Sequence, residues 1–173
     1  MFIELIATIV AGIAAAGAVM LVNHLTGRRL PRWLAPVFAG LAMLLMTISN
    51  EYGWYGRTKE ALPEGLVVAR TVDSRAVYRP WTYVVPYVER FAAVDTLSLK
   101  THPAQPGVIL AETYFFGRWS PVERLPVLVD CTNGKRAALT DAFAFENNGT
   151  VSGADWVAVP AGDPLLATIC GAR

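Results

Sequence analysis

The chain has 173 residues, 54% of them hydrophobic and only 17% charged, with a formal net charge of +1. A balance this close to neutrality leaves no basic stripe for nucleic acid. It also hides a sharp division, because residues 1–50 contain Glu4 as their single carboxylate and Arg28, Arg29 and Arg32 as their only Lys or Arg, whereas residues 51–173 carry 12 Lys or Arg against 13 Asp or Glu.

Two hydrophobic runs fill the first part, one over residues 2–22 and one over 33–49. As helices they would extend about 32 Å and about 26 Å at 1.5 Å per residue, the scale of a hydrocarbon core. Neither run has a polar face, so a two-helix transmembrane hairpin over residues 1–50 is expected, with the lipid bilayer as its solvent. Trp33 marks one interface and Tyr52, Trp54 and Tyr55 the other, as an aromatic belt would. Pro36 falls in the first turn of the second helix, where its missing N–H costs nothing. A cleaved signal peptide would begin with a basic segment, and no Lys or Arg precedes Arg28.

The arginines between the two runs should remain cytoplasmic under the positive-inside rule. Only Arg57 and Lys59 closely follow the second run, so the expected topology has both termini outside and the loop 23–32 inside, at a bacterial inner membrane. Both cysteines, Cys131 and Cys170, lie in the later part. Neither belongs to a Cys-x-x-Cys or Cys/His metal pattern, and a pair in a small exported domain reads most simply as one disulfide. Two free buried thiols in a cytosolic domain are the alternative.

Residues 51–65 are expected to be a juxtamembrane linker and 66–173 a periplasmic, β-rich domain. Strand-length segments occur at 66–72, 92–100, 108–119, 125–131, 136–140, 142–146, 150–152 and 156–160. Asn147-Asn148-Gly149 separates two of them with hairpin chemistry. Pro80 and Pro86 make 79–87 an edge or an irregular connection. Asp163-Pro164 is an N-cap followed by a favoured first helical residue, and it opens a short apolar helix that carries Cys170 towards Cys131. The predicted fold class is thus membrane α plus soluble β: a helix hairpin, then a small antiparallel β meander or barrel with a short C-terminal helix.

The order of landmarks in this domain carries a resemblance. Asp95-Thr96-Leu97-Ser98-Leu99, then Arg118-Trp119, Val129-Asp130-Cys131, the Asn148-Gly149 turn, Trp156 with residues 157–162, and a terminal Ile169-Cys170 are similar to surface-adhesin-E-like small exported β domains of Gram-negative bacteria. The resemblance covers roughly residues 92–173. It implies a non-enzymatic periplasmic or surface domain with its two cysteines positioned to pair. The two N-terminal spans depart from that pattern, and they argue against display at the cell surface.

No catalytic signature accompanies this architecture. His24 and His102 lack a second metal ligand at a recognisable spacing, and there is no nucleophile elbow, phosphate-binding glycine loop or haem motif. No catalytic residue, cofactor or metal is therefore expected. Asn148-Gly149-Thr150 matches a glycosylation acceptor, although its turn chemistry accounts for it. Two features point to partners instead. Small residues recur along the first helix at Ala7, Ala11 and Ala15, and at Gly12 and Ala16, a stripe that admits close helix packing, either by the second helix or by a helix of another protein. Amphipathic aromatics cluster at Tyr52, Trp54 and Tyr55 and again at Trp81 and Tyr83, where they could form a docking surface. The leading expectation is a membrane-anchored accessory or assembly subunit of a larger integral membrane complex. A tethered periplasmic ligand-binding or sensing module is the alternative.

Overall fold

The computed structural model describes residues 2–103, 105–139, 144–145, 151–152 and 155–172. The chain divides into two compact units, Met1–Arg57 and Thr58–Arg173.

The first unit is built from α1 (Phe2–Leu25) and most of α2 (Leu34–Glu60), both long and apolar enough to cross a membrane. A Schellman motif ends α1: the Arg28 N–H donates to the Asn23 carbonyl at 2.7 Å and the Gly27 N–H to His24 at 3.3 Å, with Gly27 at φ 74°. Such a turn needs a left-handed residue past the helix end, and glycine takes that conformation without a Cβ clash. The helices meet at Gly12 of α1 and Met43 of α2. Glu4, Ala7, Thr8, Ala11, Gly12, Ala15, Ala16 and Val19 form the less exposed stripe of α1, at the three- and four-residue spacing of one helix face. A Cβ on Gly12 would stand 2.9 Å from Met43 Cγ. Arg57 folds back along α2, donating to the Asn50 carbonyl at 3.3 Å, and its guanidinium meets Glu4 at 3.6 Å.

The second helix does not stop where its apolar run stops. Most of the expected linker, residues 51–60, continues α2, and the helix ends only before Pro63 and Gly65. Residues such as Glu51, Arg57, Lys59 and Glu60 are adequate helix formers, so nothing breaks the ladder earlier.

The second unit is an antiparallel, curled sheet. Its strands are β1 (Leu66–Ser74), β2 (Tyr87–Asp95), β3 (Lys100–His102), β4 (Gln105–Gly117), β5 (Glu123–Asp130), β6 (Lys135–Ala138) and β9 (Val157–Ala158), in the order β1-β2-β4-β5-β6-β9 with β3 pairing β4 beyond the end of β2. A separate two-stranded ribbon pairs β7 (Ala144–Phe145) with β8 (Val151–Ser152). These strands flank the expected Asn147-Asn148-Gly149 turn, which lies outside the described residues, as does the Asn148-Gly149-Thr150 acceptor pattern.

The strand expected over 92–100 is displaced. β2 starts immediately after Pro86 and ends at Asp95, because the next residues bond elsewhere. Gly65, at φ 93°, turns its carbonyl to accept from the Thr96 N–H at 2.9 Å and from Thr96 Oγ1 at 2.8 Å, and Asp95 Oδ1 accepts from the Leu97 N–H at 3.0 Å. Those bonds replace the ladder with a turn. The stretch after β1 is irregular, as its prolines require: a short 3-10 helix at Pro80–Tyr83 is organised by the buried Thr82. Its hydroxyl accepts from the Ala76 N–H at 3.0 Å and donates to the Arg79 carbonyl at 2.7 Å.

Helix α3 (Pro164–Gly171) closes the chain. The Asp163 carboxylate accepts from the N–H groups of Leu165 and Leu166 at 3.0 and 3.1 Å, so the cap read from the sequence is formed. Leu165 and Ile169, four apart, face a core of Val94, Ile109, Ala111, Val127 and Val129. Cys131 and Cys170 are bonded there, with Cα atoms 5.9 Å apart, inside the ordinary disulfide range. On the other sheet face, Leu128, Ala137 and Leu139 pack with Val108, Leu110 and Trp156, and Phe91 stacks on its cross-strand partner Phe116 at 4.7 Å.

Candidate functional site

Side chains alternate across a strand, so the register determines which residues share the face that α3 covers. Arg70 opposes Ala92 and Val72 opposes Arg90 between β1 and β2. Arg90 opposes Gly117, and Ala92 opposes Phe115. Phe115 in turn opposes Glu123, Thr113 opposes Leu125, and Ala111 opposes Val127 across β4 and β5. Val127 opposes Ala138, and Val129 opposes Arg136.

Helix α3 is eight residues long, about 12 Å, whereas the 13 residues of β4 extend roughly 44 Å. It therefore covers only part of the face. The transition is visible on each strand: along β4, Thr113 is 0% exposed while Phe115, the next residue on the same face, is 39% exposed. Along β2 the same face passes from buried Val94 and Ala92 to exposed Arg90, and along β5 from buried Val129 and Val127 through half-buried Leu125 to exposed Glu123.

The uncovered part is a groove of about 570 Å³, within the range of small-molecule sites. Val72, Ala92, Phe115, Leu125, Val127 and Ala138 supply its apolar lining, Leu165 of α3 its inner end, and Arg70, Arg90, Arg136, Ser120 and Glu123 its polar groups. A side chain at Gly117 would collide with Ser120, so glycine lets the Ser120 hydroxyl lie against β4 opposite Arg90.

The charges are unevenly placed. Arg136 is paired with Asp163 at 3.6 Å, the same carboxylate that caps α3. Arg70 and Arg90 have no ion pair among the described residues. They occupy diagonal positions on β1 and β2, where side chains come within roughly 7–8 Å of each other. Guanidiniums brought together from those positions would repel, and an anion between them would relieve the repulsion. By contrast Arg124, on the opposite face, is fully committed: its Nη2 donates to Glu112 Oε1 at 2.8 Å and its Nε to Oε2. That hydrogen bonding and charge raise its pKa above the ordinary arginine value.

The residues singled out from sequence fall in three places. Ala7, Ala11, Gly12, Ala15 and Ala16 lie on the less exposed face of α1, where Gly12 meets Met43 of α2 and the four alanines keep partial exposure. Tyr52, Trp54 and Tyr55 are helical, part of α2; Trp54 is only 6% exposed, and its neighbours are half-buried. Trp81 and Tyr83 remain accessible on the 3-10 helix, Tyr83 at 54%. The first two sets belong to the first unit, and Trp81 and Tyr83 to the second. The groove arginines escaped notice because they are isolated in sequence and their charge is balanced overall. One signal was available: Arg70 and Val72, Arg90 and Ala92, and Arg136 and Ala138 alternate at period two, placing a cation in step with inward-facing residues.

Among the described residues, no group of three or more His, Cys, Asp or Glu side chains could hold a metal ion. No family model, curated protein or solved structure matches the chain.

Proposed function

We propose that this protein is a membrane-tethered, non-enzymatic binding module, with α1 and α2 as the anchor and the groove of the curled sheet as the site. The observation that carries this reading is the half-covered sheet face, an apolar floor with two arginines on one rim that have no ion pair among the described residues. The anchor rests on two apolar helices whose large side chains point outward. In this reading the loop arginines lie in the cytoplasm, and the disulfide-bonded unit works in an oxidising periplasm. The accessory-subunit reading keeps the partly exposed small residues of α1 and the exposed aromatics at Trp81 and Tyr83.

Alkaline-carbonate extraction followed by native mass spectrometry of the full chain tests the proposal. The protein should stay with the membrane fraction and carry a small noncovalent adduct, and Ala138→Trp, which fills the groove from an exposed position, should remove that adduct. Release by carbonate, absence of an adduct, or an adduct unaffected by Ala138→Trp would refute it.

A further inference from the structure

We propose that the ligand of this groove is a long-chain carboxylate, its head held between Arg70 and Arg90 and its chain lying across Phe115, Leu125 and Val127. This rests on the binding-module reading above and specifies its ligand. Three properties of the groove lead to it.

The first is polarity. The β1–β2 rim bears two cations without a carboxylate partner, whereas the β5–β6 side bears Glu123 and an arginine already neutralised by Asp163. An anion is attracted to one end only and repelled from the other, so a ligand with a single anionic end is oriented uniquely. The second is the floor. Between the two rims the lining is Ala92, Phe115, Leu125, Val127 and Ala138, which offers a sugar or an acidic peptide no hydrogen-bond partners but accepts methylenes at about 0.8 kcal/mol for each one buried. The third is reach. From β1 to β6 the sheet crosses four inter-strand spacings along the order β1-β2-β4-β5-β6, about 19 Å. That is the length of an extended long acyl chain, and a short-chain acid would leave most of it empty.

Gly117 fits the same arrangement. It lies opposite Arg90, and the space its missing side chain leaves is taken by the Ser120 hydroxyl, a further donor in the groove lining near that arginine. A carboxylate there accepts charge-assisted hydrogen bonds from Arg90 and from its diagonal neighbour Arg70. Both side chains are exposed and unpaired among the described residues, so replacing them should not disturb the fold.

A photoactivatable palmitate carrying a diazirine at mid-chain, added to the full chain in lipid nanodiscs, tests the inference. Cross-links mapped by mass spectrometry should fall on peptides containing residues 115–125 and 136–139. Excess palmitate should compete and hexadecanol should not. The double variant Arg70→Ala, Arg90→Ala should lower groove labelling about tenfold or more, as expected for lost charged hydrogen bonds. The Arg70→Lys, Arg90→Lys variant should retain part of it. Labelling confined to α1 and α2 would overturn the inference, as would equal competition by hexadecanol, indifference to the arginine variants, or stronger competition by a single-chain phosphate. If native mass spectrometry shows a groove-dependent adduct while palmitate fails to label, the ligand class is wrong and the binding-module reading stands. If both measurements fail, both are wrong.

Discussion

The apolar runs and the β unit bury opposite kinds of residue. Among the described residues of the two runs, Gly12 is the buried one, while Ile3 is 80% exposed and Ile13, Leu21, Leu44 and Leu45 also point outward. Burial of large or charged side chains in α2 begins only past the run, at Glu51 and Trp54. In the β unit the large residues are inside, with Phe91, Ile109, Val129 and Ile169 almost fully covered. Water drives large apolar groups inward, as in the β unit. Lipid gives no such drive, and helices then associate through whatever lets their backbones approach. The contrast is the strongest physical argument for a bilayer around α1 and α2, and it can be attacked directly.

The largest expected effect is a pair of matched truncations. Ile169→Ala should cost the β unit about 2–5 kcal/mol through lost burial and a residual cavity, read as a fall in the urea midpoint of the full chain in detergent. Leu44→Ala, which removes a similar volume from an exposed helical position, should stay within about 0.5 kcal/mol. Equal costs would break the comparison. Replacing both Cys131 and Cys170 with alanine comes next. The bond closes a loop of 39 residues, worth about 4 kcal/mol in the chain-entropy model. The β unit should melt earlier while the helical signal persists; coincident loss of both would show that the units do not fold separately.

Gly12→Leu sharpens the other side of the contrast. A Cβ alone already falls 2.9 Å from Met43, so a larger group should destabilise the helix pair by about 1–3 kcal/mol. Ile13→Leu, one residue away and exposed, should change nothing. Heating in detergent with helical circular dichroism as readout separates them.

The smallest effect concerns acid. Burial alone would raise the pKa of Asp130, but hydrogen bonds from the Asn133 side chain and from the N–H groups of Asn133 and Thr132, with the charge of Lys135, outweigh it and hold the carboxyl below its ordinary value. A depressed folded pKa contributes stability that is present above the unfolded value of about 3.9 and lost as pH falls through the folded one. The β unit should therefore weaken below about pH 4, and Asp130→Asn should flatten that acid limb. An unchanged slope in the variant would remove Asp130 from the account.

Much of the architecture was legible because it depends on local chemistry. The apolar runs, the Asp163-Pro164 cap, the proline-interrupted stretch before β2 and the strands around Val127-Leu128-Val129 all follow from patterns within a few residues. The misplaced β2 shows the limit. Residues 96–99 look like strand by composition, and only the distant Gly65 carbonyl turns them away. The continuation of α2 through Tyr52, Trp54 and Tyr55 was missed for a related reason: a change of solvent is not a change of secondary structure.

By itself, the sequence determined that this protein has an apolar helical part and a disulfide-capable β part, since hydrophobic length and residue periodicity are local properties. Only the tertiary structure decided that Gly12 of α1 meets Met43 of α2, and that Arg70, Arg90 and Phe115 share one uncovered face. Those facts depend on helix pairing, strand order and register, set by contacts between residues far apart in the chain. A short α3 cannot cover a long sheet, and what it leaves open is where this molecule has room for a ligand.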